Sequence, residues 1–524
     1  MAKICLCLTA KTIKRNLEIL NKYRKLIDVA ELRVDCLDSD ERLYIRRFPE
    51  QAGIPVILTI RRDIDGGHFT GGEGARVKLF ANGLAYANAD SRLNYAYVDI
   101  EDDLEVPSLE EAARTFGTRI IRSFHNINGA IDDIQSKLKS MRRAGDEILK
   151  LALSVTSTSD VLRMYKASKA FSSVQPYANQ DKILICMGHY GTYSRILAER
   201  FGSFLTYCGA LSENETPAAP GQMDVCDLAE LFRFKKITKN TEIYGIAGNP
   251  LKTSVSPWFF NTIFSLQNND AVYVPFPVDS ITEFLELADE LDVKGLSVTV
   301  PYKESVLPYL ENKSNAVTMI GACNTMYRYP NGWFGDNTDC TGFSSSLLEF
   351  IKRKNLKYIK ITVIGSGGVA KSVAAEIYRL GGKALILNRT IYKAKNLAEK
   401  YNFRWGGLPQ NGGDSQIIKL ISRYNDIIIQ ASSAGMEGNE AEDFLELYSF
   451  TGKETVMDLV YTPSETPFLK RAAAAGCKTI NGYDMGIRQA CNQYINFFGT
   501  EISEQLLTRI NAMGANAWNK TRSG

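Results

Sequence analysis

Short apolar runs recur through the first half of the chain: ICLCL, VAELRV, VILTI, YAYVDI, RIIRSF, EILKLAL, KILICM and SFLTYC. Stretches whose apolar residues follow helical spacing, such as TIKRNLEILNKYRKLI and ARVKLFANGLAYA, lie between most neighbouring pairs. Short apolar runs bounded by polar residues predict strands, and strand alternating with helix predicts a parallel sheet. Eight such strands in about 230 residues fit a closed (β/α)8 barrel, whose usual size is roughly 250 residues. An open doubly wound sheet is the weaker alternative. APGQMDVCDLAELFRF reads as loop and final helix, placing the barrel at 1–232, and FKKITKNTE reads as a linker over 233–241.

A second α/β pattern begins at IYGIAGNP, with strands expected at YGIAG, DAVYVPFPV, GLSVTV and CNTMYRY. Near residue 345 the pattern restarts, FSSSLLEFIKRKN as helix and KYIKITVIG as strand. Two lobes are expected, an α/β lobe over 242–345 and a Rossmann lobe over 346–489, with helices in 490–517 returning to the first.

Composition narrows the function classes. With 62 Lys plus Arg against 59 Asp plus Glu, spread rather than clustered, nucleic acid is not an expected partner. Ten cysteines occur without a CxxC pair, which points to reduced thiols rather than a disulfide or metal framework, and no metal is expected. KICLCLTA is too short for a signal peptide and no apolar stretch approaches a membrane span, so a cytoplasmic enzyme is the expectation.

Lys150 needs explaining, because EILKLALSV otherwise reads as a buried strand. A buried lysine must be paired or neutral, and a neutral amine attacks ketones. On pattern alone, a stem whose amine escapes to solvent at the strand end is an equal reading. His125, one of three histidines, also closes an apolar run, one predicted strand earlier. Barrel strands deliver both residues to the same C-terminal mouth, as an imine-forming lysine with a proton shuttle requires. Glu31 with Arg33, and Asp99 with Glu101, sit two apart and so share strand faces, where they could simply form ion pairs filling a barrel layer. Arg61, Arg195 and Gln222 add donors suited to a small carboxylated, hydroxylated substrate.

ELRVD, LTIRRDIDGG, SFHN, ILKLA, CMGHYGTYSR and AAPGQ follow one another as in type I 3-dehydroquinate dehydratases, which residues 1–230 resemble. The resemblance implies that Lys150 forms an imine with the C3 ketone of dehydroquinate. It implies that His125 removes the C2 proton and assists loss of the C1 hydroxyl. Glu31, Arg33, Arg61, Arg195 and Gln222 would hold substrate, with Arg195 on its carboxylate. Two positions depart from the family: Asp65 where glutamate is usual, still expected to orient His125, and Ala218 where serine is common.

In the second half, Gly365, Gly367 and Ala370 form a GxGxxA spacing after an apolar strand and before a helix, the context a dinucleotide-binding turn needs. The next strand, ALILNRT, ends in Asn388, Arg389 and Thr390 where an NAD-binding chain carries an acid; Arg389 suits a 2′-phosphate, which favours NADP. Lys303 closes GLSVTVPYK and Asp339 lies in GDNTD. Such a pair can polarise a carbonyl and supply a proton, although a lone lysine and aspartate more often form a surface ion pair. Ser254 and Ser256 in SVSP offer two hydroxyls to a carboxylate.

GNPLKTSVSP, VTVPYK, GACNT, DNTD, GSGGVAKS, NRT, ASSAGM, DLVYTP and GYDMGIRQA run in the order seen in shikimate dehydrogenases, which residues 241–524 resemble. The likeness implies Lys303 and Asp339 as the catalytic pair, and Ser254, Ser256, Thr299, Asn324, Tyr461 and Gln489 as substrate contacts. It implies cofactor binding by Gly365, Ser366, Gly367, Gly368, Val369 and Ala370, with Asn388, Arg389 and Thr390. Phe260 and Gln430 replace a usual histidine and asparagine. The whole chain resembles the fused dehydratase and dehydrogenase best known from plants, which implies dehydration of 3-dehydroquinate followed by NADPH reduction of 3-dehydroshikimate to shikimate. A quinate dehydrogenase using NAD, and a catalytically decayed sensor or scaffold built on the same pair, are the alternatives.

Overall fold

The computed structural model describes residues 1–85, 90–251, 254–409, 415–436 and 438–520. In the N-terminal part, strands β1 (Lys3–Leu8), β2 (Val29–Arg33), β3 (Val56–Thr59), β4 (Tyr97–Glu101), β5 (Arg119–Asn126), β6 (Ile148–Ser154), β7 (Lys182–Met187) and β8 (Leu205–Gly209) coincide with the eight apolar runs. They lie in the order β7-β6-β5-β4-β3-β2-β1-β8, every ladder parallel. β8 therefore returns beside β1. Between β7 and β8 there is no ladder, but Phe204 N donates to Lys182 O at 2.7 Å. The architecture is that of a (β/α)8 barrel. A ninth short strand, β9 (Met223–Asp224), extends β8, and a π-helical turn Asp227–Leu231 follows where an ordinary helix was expected.

The alternation of side chains along each strand sorts the barrel interior into layers. Cys5, Val29, Ile57, Tyr97, Ile121, Ile148, Ile183 and Leu205 pack into one apolar cluster inside the sheet. Two residues further along their strands stand Glu31, Thr59, Asp99, Ser123 and Lys150, on the same inner face and all at most 5% exposed. Polar residues thus cap an apolar plug at the C-terminal ends of the strands.

The second half has two six-stranded sheets. The first contains β10 (Glu242–Gly248), β11 (Ala271–Pro277), β12 (Val293–Val298), β13 (Leu310–Lys313), β14 (Thr325–Tyr329) and β15 (Gly332–Asp336), in the order β11-β10-β12-β14-β15-β13. The polar strand β13 and the glycine-containing β15 carry little apolar signal, which is why sequence pattern misses them. The second sheet contains β16 (Lys360–Ile364), β17 (Lys383–Leu387), β18 (Arg404–Gly406), β19 (Ile427–Gln430), β20 (Thr455–Asp458) and β21 (Lys478–Ile480). Its parallel order β18-β17-β16-β19-β20-β21 reverses direction at β16, leaving a crevice between β16 and β19. The C-terminal helical region forms two helices, Tyr483–Phe498 and Glu504–Lys520. Gln493 of the first donates to Asn324 O and Thr325 Oγ1, both at 3.1 Å, and accepts from Ser297 Oγ at 2.7 Å, so this helix does pack on β12 and β14.

By internal contacts the chain divides into one compact unit of residues 1–245, 257–293 and 510–524 and another of 246–256 and 294–509. Phe260 belongs to the first. It is fully buried and stacked on Tyr273, centroids 4.4 Å apart and planes within 5°. The residue is a core ring rather than a site residue, which accounts for the departure from histidine. Phe260→Ala is expected to lower stability by about 3–5 kcal/mol, read as a lower urea midpoint by tryptophan fluorescence, with no loss of the folded protein's cofactor affinity.

Candidate active sites

Lys150 stands between Ile148 and Ala152 on the inner face of β6 and is 5% exposed, so its amine does not escape to solvent. Nζ lies 2.7 Å from Asp99 Oδ2, 3.9 Å from Glu31 Oε1 and 4.5 Å from the Tyr207 ring centroid. Asp99 is held in turn by Arg61 at 2.7 Å and by Ser123 Oγ at 2.5 Å. Burial by itself would raise the Asp99 carboxyl, but Arg61 and then Lys150 outweigh it and hold the group well below the usual carboxylate range.

His125 closes β5, with Ser123 of the same strand in register with Lys150 of β6. Part of its ring is open, while Nδ1 is buried without a hydrogen bond. Burial, reinforced by the Arg61 and Lys150 cations, pushes the imidazole well below its ordinary value, so it is held neutral.

A thiol lies at the centre of the remaining polar residues. Cys7 Sγ donates to Glu31 Oε2 at 3.0 Å and accepts from Gln222 Nε2 at 3.1 Å; Gln222 Oε1 accepts from Ala218 N at 2.6 Å. Burial, and then the Glu31 carboxylate, raise the Cys7 thiol well above its ordinary value, keeping it a donor. Arg33 forks onto Asp35 at 2.9 and 2.7 Å. Arg195, by contrast, is 1% exposed, donates only from Nη2 to Pro220 O at 3.2 Å among the described residues, and has a buried Nε with no partner. Burial pushes its guanidinium down to about 10, still a cation at neutral pH. An unpaired buried cation at the barrel mouth is a receptor for an anion.

In the second unit, Lys303 Nζ lies 2.6 Å from Asp339 Oδ2 and both residues are under 10% exposed, so the pair is not a surface one. Asn324 Nδ2 donates to Asp339 Oδ1 at 2.8 Å, Thr338 Oγ1 at 3.1 Å and Gln489 Oε1 at 3.4 Å. Ser256 N donates to Ser254 Oγ at 3.3 Å on the turn after β10, and Thr299 N donates to Ala247 O at 3.0 Å, which sets Thr299 beside the end of that strand. Tyr461 follows β20, its phenol raised by burial.

The glycine turn sits at the crevice between β16 and β19. Gly365 has φ +119°, and a Cβ there would stand 2.6 Å from Ala431 O at the end of β19, so only glycine fits. A Cβ on Gly367 would meet nothing within 4 Å, which leaves open space over the start of the helix Gly368–Arg379. Ser366 and Val369 border that space half-buried, Ala370 is buried below it, and Gly368 faces the Lys303 stem. Asn388 is half-buried, and Arg389 and Thr390 are exposed, at the end of β17. Free amides at a helix N-terminus beside an exposed arginine fit a phosphorylated dinucleotide. Among the described residues no cluster of His, Cys, Asp or Glu could hold a metal ion.

Residues 4–239 match the family model of the type I 3-dehydroquinase, residues 246–326 that of the shikimate dehydrogenase substrate binding domain, and residues 348–448 that of shikimate / quinate 5-dehydrogenase. A shikimate dehydrogenase (NADP(+)) of Caldanaerobacter subterraneus subsp. tengcongensis is 36% identical over 49% of this chain and 91% of that protein. The chain belongs to both families, fused. A bifunctional 3-dehydroquinate dehydratase/shikimate dehydrogenase, chloroplastic, of Arabidopsis thaliana is 28% identical over 97% of this chain and 84% of that protein. A shikimate biosynthesis protein, AroDE, of Chlamydia pneumoniae is 26% identical over 91% of each.

Two expectations for the dehydratase half change. Asp65 makes no hydrogen bond to His125 among the described residues: it ends a tight turn three residues after Arg62 and accepts from Arg62 Nε at 2.6 Å. Arg61 lies against the barrel wall, bound to Asp99, Glu101 and Ser123, so its charge is spent on carboxylates rather than left free for substrate. Asp99, read from sequence only as one of a pair filling a layer, is the residue nearest the Lys150 amine among its ion-pair partners. Its two-residue offset from Glu101 on an inner face was the available signal; which strand it would meet was not.

Asp99→Asn should cost about 3 kcal/mol at neutral pH, since it takes the close carboxylate from buried Lys150 and one of two from Arg61, which keeps Glu101. Because the folded-state carboxyl is depressed, its contribution is complete above the ordinary value of about 3.9 and is lost as pH falls below it. The gap between the denaturation midpoints of the wild type and the variant should therefore be constant above about pH 5 and shrink progressively as pH falls below about 4.

Proposed function

We propose that Lys150, paired with Asp99 and 5% exposed, is the amine that forms an imine with the C3 ketone of 3-dehydroquinate, with the neutral His125 as its proton carrier. The carrying observation is the buried Lys150–Asp99 contact at 2.7 Å beside a histidine held neutral. Arg61 keeps Asp99 anionic when the ammonium gives up its proton to water or to the neutral His125, the freed amine adds to the ketone with loss of water, and the resulting iminium draws electrons from C2. His125 then takes the C2 proton and returns one to the departing C1 hydroxyl, which leaves as water, and a water molecule hydrolyses the iminium to release 3-dehydroshikimate and regenerate Lys150. Arg195 receives the substrate carboxylate, while Glu31 and Gln222, joined through Cys7, face its hydroxyls.

In the second unit the proposed substrate is the 3-dehydroshikimate made by the first. Lys303 polarises the C3 carbonyl and, with Asp339, supplies the proton to the new alkoxide. Asn324 fixes Asp339 by accepting Thr338 N at 2.9 Å and donating to the carboxylate. Ser254 and Ser256 bind the carboxylate of the substrate, with Thr299, Tyr461 and Gln489 on its ring hydroxyls. NADPH, when bound, supplies the hydride; the turn from Gly365 to Ala370 would hold its pyrophosphate, and Asn388, Arg389 and Thr390 its ribose phosphate. The exposed Arg389 favours this reading over a quinate dehydrogenase using NAD. The domains proposed are the barrel to 232, a linker to 241, a substrate lobe over 242–345 completed by the helices after 490, and the cofactor lobe between. No helix among the described residues is long and apolar enough to cross a membrane, and a cytoplasmic location is proposed.

Borohydride added with dehydroquinate should leave a stable adduct on Lys150, found by peptide mass spectrometry and absent in Lys150→Ala; an unmodified Lys150 peptide would sink the imine reading. Arg389→Ala should raise the KM for NADPH by roughly 10- to 100-fold, as expected for a lost charge-assisted phosphate contact, with little change for NADH. An equal change for both cofactors would place the 2′-phosphate elsewhere.

A further inference from the structure

The short helix Thr192–Ile196, which carries Arg195, is braced from outside the barrel. Tyr193 is fully buried and packs edge-on against Phe276 of β11, ring centroids 5.1 Å apart and planes at 64°. The hydroxyl of Tyr193 is buried with no hydrogen-bond partner among the described residues, so the ring makes the contact. Phe276 is backed by Phe284 at 5.1 Å, on the helix Ile281–Glu290.

That helix is tied to the barrel helix Thr158–Ser172. Lys169 bridges to Glu290 at 2.8 Å, Lys166 pairs with Glu286, and Tyr165 Oη donates to Glu290 O at 3.2 Å. Asp279, between β11 and the helix, accepts from Thr158 N at 2.8 Å and Thr158 Oγ1 at 2.5 Å. It thereby satisfies one of the amides that a helix N-terminus leaves free. Residues 257–293 accordingly fall in the same compact unit as the barrel, although they lie within the match to the shikimate dehydrogenase substrate binding domain.

Arg195 has little else to fix it. Its guanidinium has one hydrogen bond among the described residues, to Pro220 O, and a bare Nε. The position of the cation therefore follows the backbone of its five-residue helix, and Tyr193 is the side chain of that helix seated on β11. We propose that Phe276, through Tyr193, is a positioning residue for the dehydratase reaction, setting where the Arg195 guanidinium meets the substrate carboxylate. This rests on the reading of Arg195 as the carboxylate receptor. A residue of the dehydrogenase sequence then completes the substrate site of the dehydratase.

A contact made equally in bound substrate and transition state appears in KM, not in kcat. In the full-length chain, Phe276→Leu and Tyr193→Leu should each raise the KM for dehydroquinate roughly tenfold with kcat within about twofold, the size of a weakened charge-assisted contact made equally in both states. Tyr193→Phe keeps the ring and should keep the KM. Tyr193→Leu leaves the dehydrogenase sequence intact, so the test survives if Phe276→Leu folds poorly. Arg195→Gln is the control. If it raises KM while Tyr193→Leu and Phe276→Leu do not, the proposal is overturned and Arg195 keeps its role. An unchanged KM in Arg195→Gln overturns both. A loss of kcat at constant KM in the two leucine variants would mark a merely structural contact and also overturns the proposal.

Discussion

The contact between Lys150 and Asp99 is the constraint around which the barrel interior is arranged. An ammonium with so little solvent cannot stay charged without a carboxylate, and that carboxylate needs a counter-charge of its own when the amine becomes neutral. Arg61 answers this from behind, with Ser123 completing the lone pairs of Asp99. Lys150, Asp99 and Ser123 lie at inward positions one step above the apolar plug and Arg61 follows the end of β3, so strand alternation delivers most of these groups and the packing below keeps them dry. The neutral state of His125 follows from the same arrangement, since two cations and burial outweigh one aspartate.

The dehydrogenase half solves a similar problem with neutral groups. Asn324 gives hydrogens to Asp339, Thr338 and Gln489, and its own carbonyl is held by Gln493. The helix Tyr483–Phe498 thus fixes the acid of the pair from a segment far along the chain, while the stem of Lys303 lies against Gly368 at the start of the dinucleotide helix. The proposed carbonyl-polarising lysine and the proposed cofactor turn share a wall.

Much of this was legible in the sequence where one physical signal dominates. The eight barrel strands are apolar enough to announce themselves, and the Gly365 turn is constrained enough that its spacing names its structure. β9, β13 and β15 were not legible: they are short, polar or glycine-containing, and exist because neighbouring strands offer hydrogen bonds. Among candidate site residues, local order points to Lys150, His125, Lys303 and Asp339, but partners meet across strands, and one-dimensional pattern does not say which. That is why Asp99 was read as ballast, Arg61 as a free donor, and Asp65 as a partner for His125 when Arg62 lies closer. The role of Cys7 was hidden for the same reason, since a thiol in an apolar strand looks like packing until Glu31 and Gln222 are seen on either side.

The bare Nε of Arg195 has a thermodynamic meaning. A buried donor without an acceptor is a standing cost to the folded barrel, and a carboxylate that reaches it removes that cost as it binds. With Arg195 as the proposed receptor, ligand affinity and fold stability are linked through one nitrogen: small carboxylates should act as chemical chaperones for this barrel, raising its melting temperature by mass action in proportion to how well they seat on Arg195. Neutral analogues of the same shape would leave the cost in place.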